Sequence, residues 1–220
     1  MSREVENIKE IKTRVWLKWG IYLALIYGLY VAVYLYADHL KIMMGLGNIR
    51  KNFISVIATH IDVPLILGML LLALVFDYRR TLESLLLDEK KKWLAMLAGV
   101  AVFLCGVMMT TPANAVDGYW LIHKLVTVAF LGELAFRVLL FDWMDAQGLG
   151  RLAYLLSGLC GGALSAVQSV VVDGATVLFV VVPAALSGMV LGTIMALVYK
   201  KTKSLWLITY LQASLLLFMG

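Results

Sequence analysis

The sequence predicts an all-α integral membrane protein, a bundle of about seven transmembrane helices. Three observations carry that expectation. The chain is 62% hydrophobic and only 15% charged over 220 residues, whereas soluble domains are about half apolar. Its apolar residues fall in runs of roughly the twenty that a bilayer requires. Its charges gather at the ends of those runs, so the net charge of +5 reports topology rather than affinity for nucleic acid. The expected partner is the lipid bilayer, with no nucleic acid.

The elements follow in order. Residues 1–14 are expected to form an interfacial amphipathic helix, because Val5, Ile8, Ile11 and Val15 recur at helical spacing among Lys and Glu. The first apolar run, Val15 to Tyr36, is too long for a signal peptide's core and no small-residue cleavage site follows it. Six more runs lie at Phe53–Phe76, Trp93–Met109, Tyr119–Phe141, Leu152–Val172, Thr176–Tyr199 and Leu205–Met219. Leu82, Leu85 and Leu86 precede a charged stretch and are expected on the inner leaflet. Aromatic residues near the run ends, among them Tyr34, Tyr36, Trp93, Tyr119, Trp120, Trp143, Tyr199 and Trp206, suit the headgroup layer. Residues 1–220 read as one polytopic membrane domain.

Lysine and arginine resist translocation, so their distribution sets orientation. Fourteen lie on the side of the N-terminal tail, four lie on the other side (Lys41, Arg50, Lys51, Lys124), and Arg137 sits within a run. The N-terminus is therefore expected in the cytoplasm and the C-terminus outside, in the plasma membrane of a prokaryotic cell.

Gly158 with Gly162 and Gly188 with Gly192 form two GxxxG pairs, which let helix backbones approach where lipid supplies no hydrophobic drive. Pro64 and Pro183 remove backbone donors and predict kinks in the second and sixth spans. Cys105 and Cys160 lie in apolar runs and form no CxxC pair, which removes a disulfide framework and structural zinc.

A charge at the centre of a span costs about 3 kcal/mol on insertion scales. Span four carries two, Glu133 and Arg137, four residues apart with the acid first, the favourable order for a pair within one helix. The expected arrangement is a salt bridge facing the bundle interior.

At these residues the sequence resembles the CPBP family of CAAX-type prenyl endopeptidases and bacteriocin-processing enzymes, also called Abi proteins. Gly132-Glu133-Leu134-Ala135-Phe136-Arg137 is similar to the family's Glu-Glu-x-x-x-Arg motif. Ser187 to Gly192, Leu197-Val198-Tyr199, Thr202 and Ser204-Leu205-Trp206 are similar to its passage into the last catalytic helix. The resemblance covers roughly Leu121 to Gly220 and implies a helical bundle with a polar-centred cavity between spans four, five and seven. Glu133, Arg137, Ser165, Gln168, Thr209 and Gln212 are expected to line it.

The resemblance also implies that water is activated by the first Glu of the motif and a His on the next helix, with a later His and Asn holding the oxyanion. Those places read differently here. The first Glu falls on Gly132, the next-helix His on Ser165 or Gln168, the last His on Gln212 and the Asn on Leu215 or Leu216. An amide or hydroxyl side chain cannot accept a proton near neutral pH.

The expected role is thus non-catalytic: a subunit, assembly factor or scaffold holding another membrane segment or a lipid, with other membrane subunits as partners and no cofactor. The rival readings are a metal-independent endopeptidase with a rearranged site, in which Glu133 is the base, and a metal-binding subunit of a larger enzyme. For the last, His39, His60 and His123 share the outer half with several Asp and Met residues, including Met108 and Met109. No HxxxH or HxxE spacing joins them, which favours interfacial histidines and core methionines.

Overall fold

The computed structural model describes residues 2–43, 58–110, 115–171 and 178–219. Among these, every regular element is helical. Helix α1 runs without a break over Ser2–Met43, so the tail and the first span are one rod. Helix α2, Val63–Leu85, is entered through a π-turn at Ala58–Asp62. Helix α3 is Lys90–Thr110. What we call α4 is a continuous composite over residues 115–146, in which α-helical Ala115–His123, Leu131–Glu133 and Asp142–Ala146 alternate with π-helical Lys124–Phe130 and Leu134–Phe141. Helices α5 (Arg151–Val171), α6 (Leu178–Thr202) and α7 (Leu205–Met219) complete the bundle. The side chains of residues 1–15, Asp38, Met43, Asp117 and Gln168, and all of Met44 and Asp173, lie outside the described residues.

Among the described residues, four stretches are long and apolar enough to cross a membrane: Trp16–Tyr36, His60–Leu85, Lys90–Thr110 and Phe179–Thr202. Arg151–Val167 and Leu205–Leu217 are apolar but shorter. Large apolar side chains face outward along them, such as Leu67, Leu71 and Val75 at four-residue intervals on α2, as a lipid-facing stripe requires. Met108 and Met109 also face outward, and this corrects the expectation of core methionines; they end a helix whose buried residues are Gly99, Phe103 and Gly106.

Helix α4 is the axis. Every residue from Leu131 to Phe141 is buried, and α2, α5 and α6 pack against that stretch while α7 packs against residues 124–133. Side-chain hydrogen bonds pin it to its neighbours, as Tyr30 donates to the Thr127 carbonyl at 3.4 Å and Ser157 to the Phe136 carbonyl at 2.7 Å. The glycines seat α5 against α6. A Cβ on Gly158 would stand 2.6 Å from the Met189 carbonyl oxygen, and one on Gly192 would stand 3.0 Å from the Gly158 Cα.

Pro64 stands just after the π-turn at Ala58–Asp62, where a proline's missing amide breaks the regular α-helical ladder. A sharp break falls at Asp77, with φ −153° and ψ 78°. There Thr81 Oγ1 donates to the carbonyls of Ala73 (3.1 Å) and Asp77 (2.8 Å), supplying carbonyls that the bend frees. Pro183 lies inside α6 as expected from its place in the run.

The loops at 86–89, 147–150 and 203–204 meet at one end of the bundle. Trp206 Nε1 donates to the Leu85 carbonyl at 3.3 Å, Lys200 pairs with Asp145 at 2.8 Å, and Lys203 pairs with Asp142 at 2.6 Å. Lys203 turns the chain with φ 51°, as Gly148 and Gly150 do at 77° and 52°. Lys92 donates to Asp88 at 2.6 Å and holds that exposed carboxyl below its ordinary range. Trp143 is buried at that end, stacked on Trp19 with ring centroids 5.0 Å apart and meeting Trp16 edge-on at 4.7 Å.

Candidate functional site

A cavity of about 470 Å³ opens between α4, α5, α6 and α7, with Tyr34 of α1 at its margin. One stripe of α4 forms a wall: Trp120, Lys124, Val128, Gly132 and Phe136 recur every fourth residue, the spacing that puts helical side chains above one another. Opposite stand Gly161, Leu164 and Ser165 of α5, Ser187, Gly188 and Gly192 of α6, and Gln212 and Leu216 of α7. Helix α6 is thus a main wall, whereas the sequence had implied only spans four, five and seven.

Arg137 reaches into this space. Its guanidinium lies in a notch made by two glycines: a Cβ on Gly161 would stand 3.1 Å from Nη2, and a Cβ on Gly192 would overlap the same atom. Gly192 therefore serves both the helix contact and the arginine. Arg137 is 2% exposed and Glu133 fully buried, with Nε 3.4 Å from Glu133 Oε2. Neither carboxylate oxygen of Glu133 has a hydrogen-bond partner among the described residues. Glu133 neutralises the arginine from within the protein and does not line the cavity.

Gly132 does line it, and nothing stands within 4 Å of where its Cβ would be. The motif position that the family resemblance assigns to a water-activating glutamate is therefore open wall. Ser165 and Gln212 also line the cavity, while Thr209 is buried away from it.

The sequence reading missed one cluster. Asp62, at the end of the π-turn, accepts hydrogen bonds from Tyr119 at Oδ2 and from Thr127 at Oδ1 (3.0 Å), and His123 Nδ1 lies 2.6 Å from Oδ1. Asp62 and His123 are 8% and 7% exposed, and His123 lines the cavity. His123 is buried beside Asp62, a partner 61 residues away on another helix and invisible to any test of spacing within one element. The other two histidines stand elsewhere. His39 is exposed and His60 lies beside Tyr36, with ring centroids 6.1 Å apart. Among the described residues no three His, Cys, Asp or Glu side chains converge as metal ligands would.

No curated protein and no solved structure matches the chain. Residues 112–216 match the family described as Type II CAAX prenyl endopeptidase Rce1-like. That segment holds Glu133, Arg137 and every cavity-lining residue except Tyr34. The protein is an integral membrane protein whose residues 112–216, just under half of the chain, are similar to the Rce1-like family of CAAX prenyl endopeptidases.

Proposed function

We propose that this chain keeps a cavity of the Rce1-like kind, lacks the carboxylate that the resemblance assigns to water activation, and uses the cavity to hold another membrane segment or a lipid. On this reading it is a subunit, assembly factor or scaffold, built as one seven-span domain with its N-terminus in the cytoplasm of a prokaryotic cell. The supporting observation is Gly132: the wall position facing the cavity carries no side chain, while the neighbouring Glu133 is sealed against Arg137. A sealed carboxylate cannot reach a substrate's water, and geometry precedes pKa in choosing a general base.

The cavity suits an elongated amphiphilic occupant. Val128, Leu164, Leu191 and Leu216 offer apolar surface, and Arg137, Lys124, Ser165 and Gln212 offer polar contacts, the mixture that binding pockets commonly present. The orientation is supported by Lys92, Lys200 and Lys203, which stand together at one end of the bundle where three loops meet.

Incubating the purified protein with a prenylated peptide or a leader peptide tests the reading. No cleavage dependent on Glu133 is expected. Cleavage that Glu133→Gln abolishes would place the protein among the working endopeptidases instead.

A further inference from the structure

Arg137 is a cation set among apolar helices with more donors than its counter-ion uses. We propose that the cavity takes a single-chain lipid with a carboxylate head, seated head-first on the Arg137 guanidinium, an inference that rests on the cavity being a ligand site. The arginine is 2% exposed, yet among the described residues its Nε has no hydrogen-bond partner, and its link to Glu133 is an ion pair at 3.4 Å. Nη1 and Nη2 stand at the notch between Gly161 and Gly192, and both glycines line the cavity with Arg137 itself. A guanidinium presents its donors as a planar fork that a carboxylate meets with two parallel bonds.

The charge of the walls agrees. Among the described residues no Asp or Glu lines the cavity. The other lining lysine or arginine, Lys124, stands at the far end of the α4 stripe and donates to the Leu216 carbonyl at 3.0 Å. The head therefore belongs at Arg137. A second carboxylate on one guanidinium leaves one surplus negative charge, and a single proton shared between the head and Glu133 offsets it, as between paired carboxylates.

The rest of the cavity describes the tail. From Phe136 back to Lys124 the lining stripe of α4 covers about 18 Å at the α-helical rise. Spread over that length, the cavity volume gives a mean cross-section of about 26 Å², room for one extended hydrocarbon chain but not for two abreast. A two-tailed phospholipid is thus too wide. Val128, Leu164 and Leu191 supply apolar wall along the way. The hydroxyls of Ser165 and Ser187 donate to carbonyls of their own helices, Gly161 at 3.2 Å and Ala184 at 3.1 Å, so the middle of the cavity is poor in donors. A peptide threaded there would bury carbonyls without partners, whereas an alkyl chain needs none.

The full chain in phosphatidylcholine nanodiscs is titrated with cis-parinaric acid and with its methyl ester, reading energy transfer from tryptophan, since Trp120 lines the cavity. Saturable binding of the acid, about tenfold or more tighter than the ester, is expected, and palmitate but not methyl palmitate should displace it. Gly132→Asp sets a carboxylate on open wall and should weaken the acid about tenfold while leaving the ester within about twofold. The double variant Glu133→Gln, Arg137→Gln leaves no unpaired buried charge, keeps the test open if Gly132→Asp fails to fold, and should erase the preference for the acid. Acid and ester bound alike by the native protein, or a preference that survives in the folded double variant, overturns the proposal. A native protein that binds both probes equally, or that retains a peptide or phospholipid and neither probe, refutes the carboxylate head alone; one that retains no guest refutes the binding reading with it.

Discussion

Glu133 and Arg137 show how much depends on single side chains when water is excluded. Each is buried, and each is costly without the other. Arg137→Met leaves a buried carboxylate unpaired and should lower unfolding free energy in mixed micelles by about 3–5 kcal/mol. The double variant Glu133→Gln, Arg137→Met should lose clearly less, and equal losses would mean the pair is not coupled. Two glycines make a contrasting pair. Gly192→Ala drives a methyl group into the Arg137 guanidinium and toward the Gly158 Cα, so a loss of about 1–3 kcal/mol is expected. Gly132→Ala meets open space and should be neutral or stabilising by up to about 1 kcal/mol. Thermal unfolding of the two variants side by side checks both values.

Among the elements, α2 and α4 depart furthest from ideal helices. The bend in α2 is set by Asp77 and stabilised by Thr81, whose hydroxyl bonds two carbonyls from a fully buried position. Thr81→Val keeps the shape and removes both bonds, so a loss of about 1–3 kcal/mol in the same unfolding measurement is expected. In α4, two π-helical segments flank Leu131–Glu133, and π-turns are often found at functional sites.

The legible part of the site was what lay within one helix. The four-residue spacing of Glu133 and Arg137 and the glycine pairs of α5 and α6 could be read from hydropathy and periodicity alone. Asp62 with His123 could not, because their meeting depends on how α2 packs beside α4, and within its own helix His60 looked the nearer companion of Asp62. Met108 was illegible for the related reason that position in an apolar run gives depth along the bilayer normal but not which side faces lipid.

Taken as a bundle, the protein places Lys92, Lys200 and Lys203 together at one end and the Asp62–His123 pair at the entry to α2. With the N-terminus inside, an impermeant thiol reagent added to intact cells should label His39→Cys, in a background free of Cys105 and Cys160, and should label Lys201→Cys only after permeabilisation. The reverse pattern would invert the orientation and, with it, the leaflet that the cavity serves.

Everything proposed for function turns on whether the space between α4 and α6 holds a guest. Native mass spectrometry of the protein released from mild detergent, set beside Ala184→Trp, whose indole fills the cavity from the α6 wall, decides it. Bound lipid or peptide mass on the native chain that is lost from the folded variant is the outcome expected. The same adducts on both, or none on either, would leave the cavity without a role in binding.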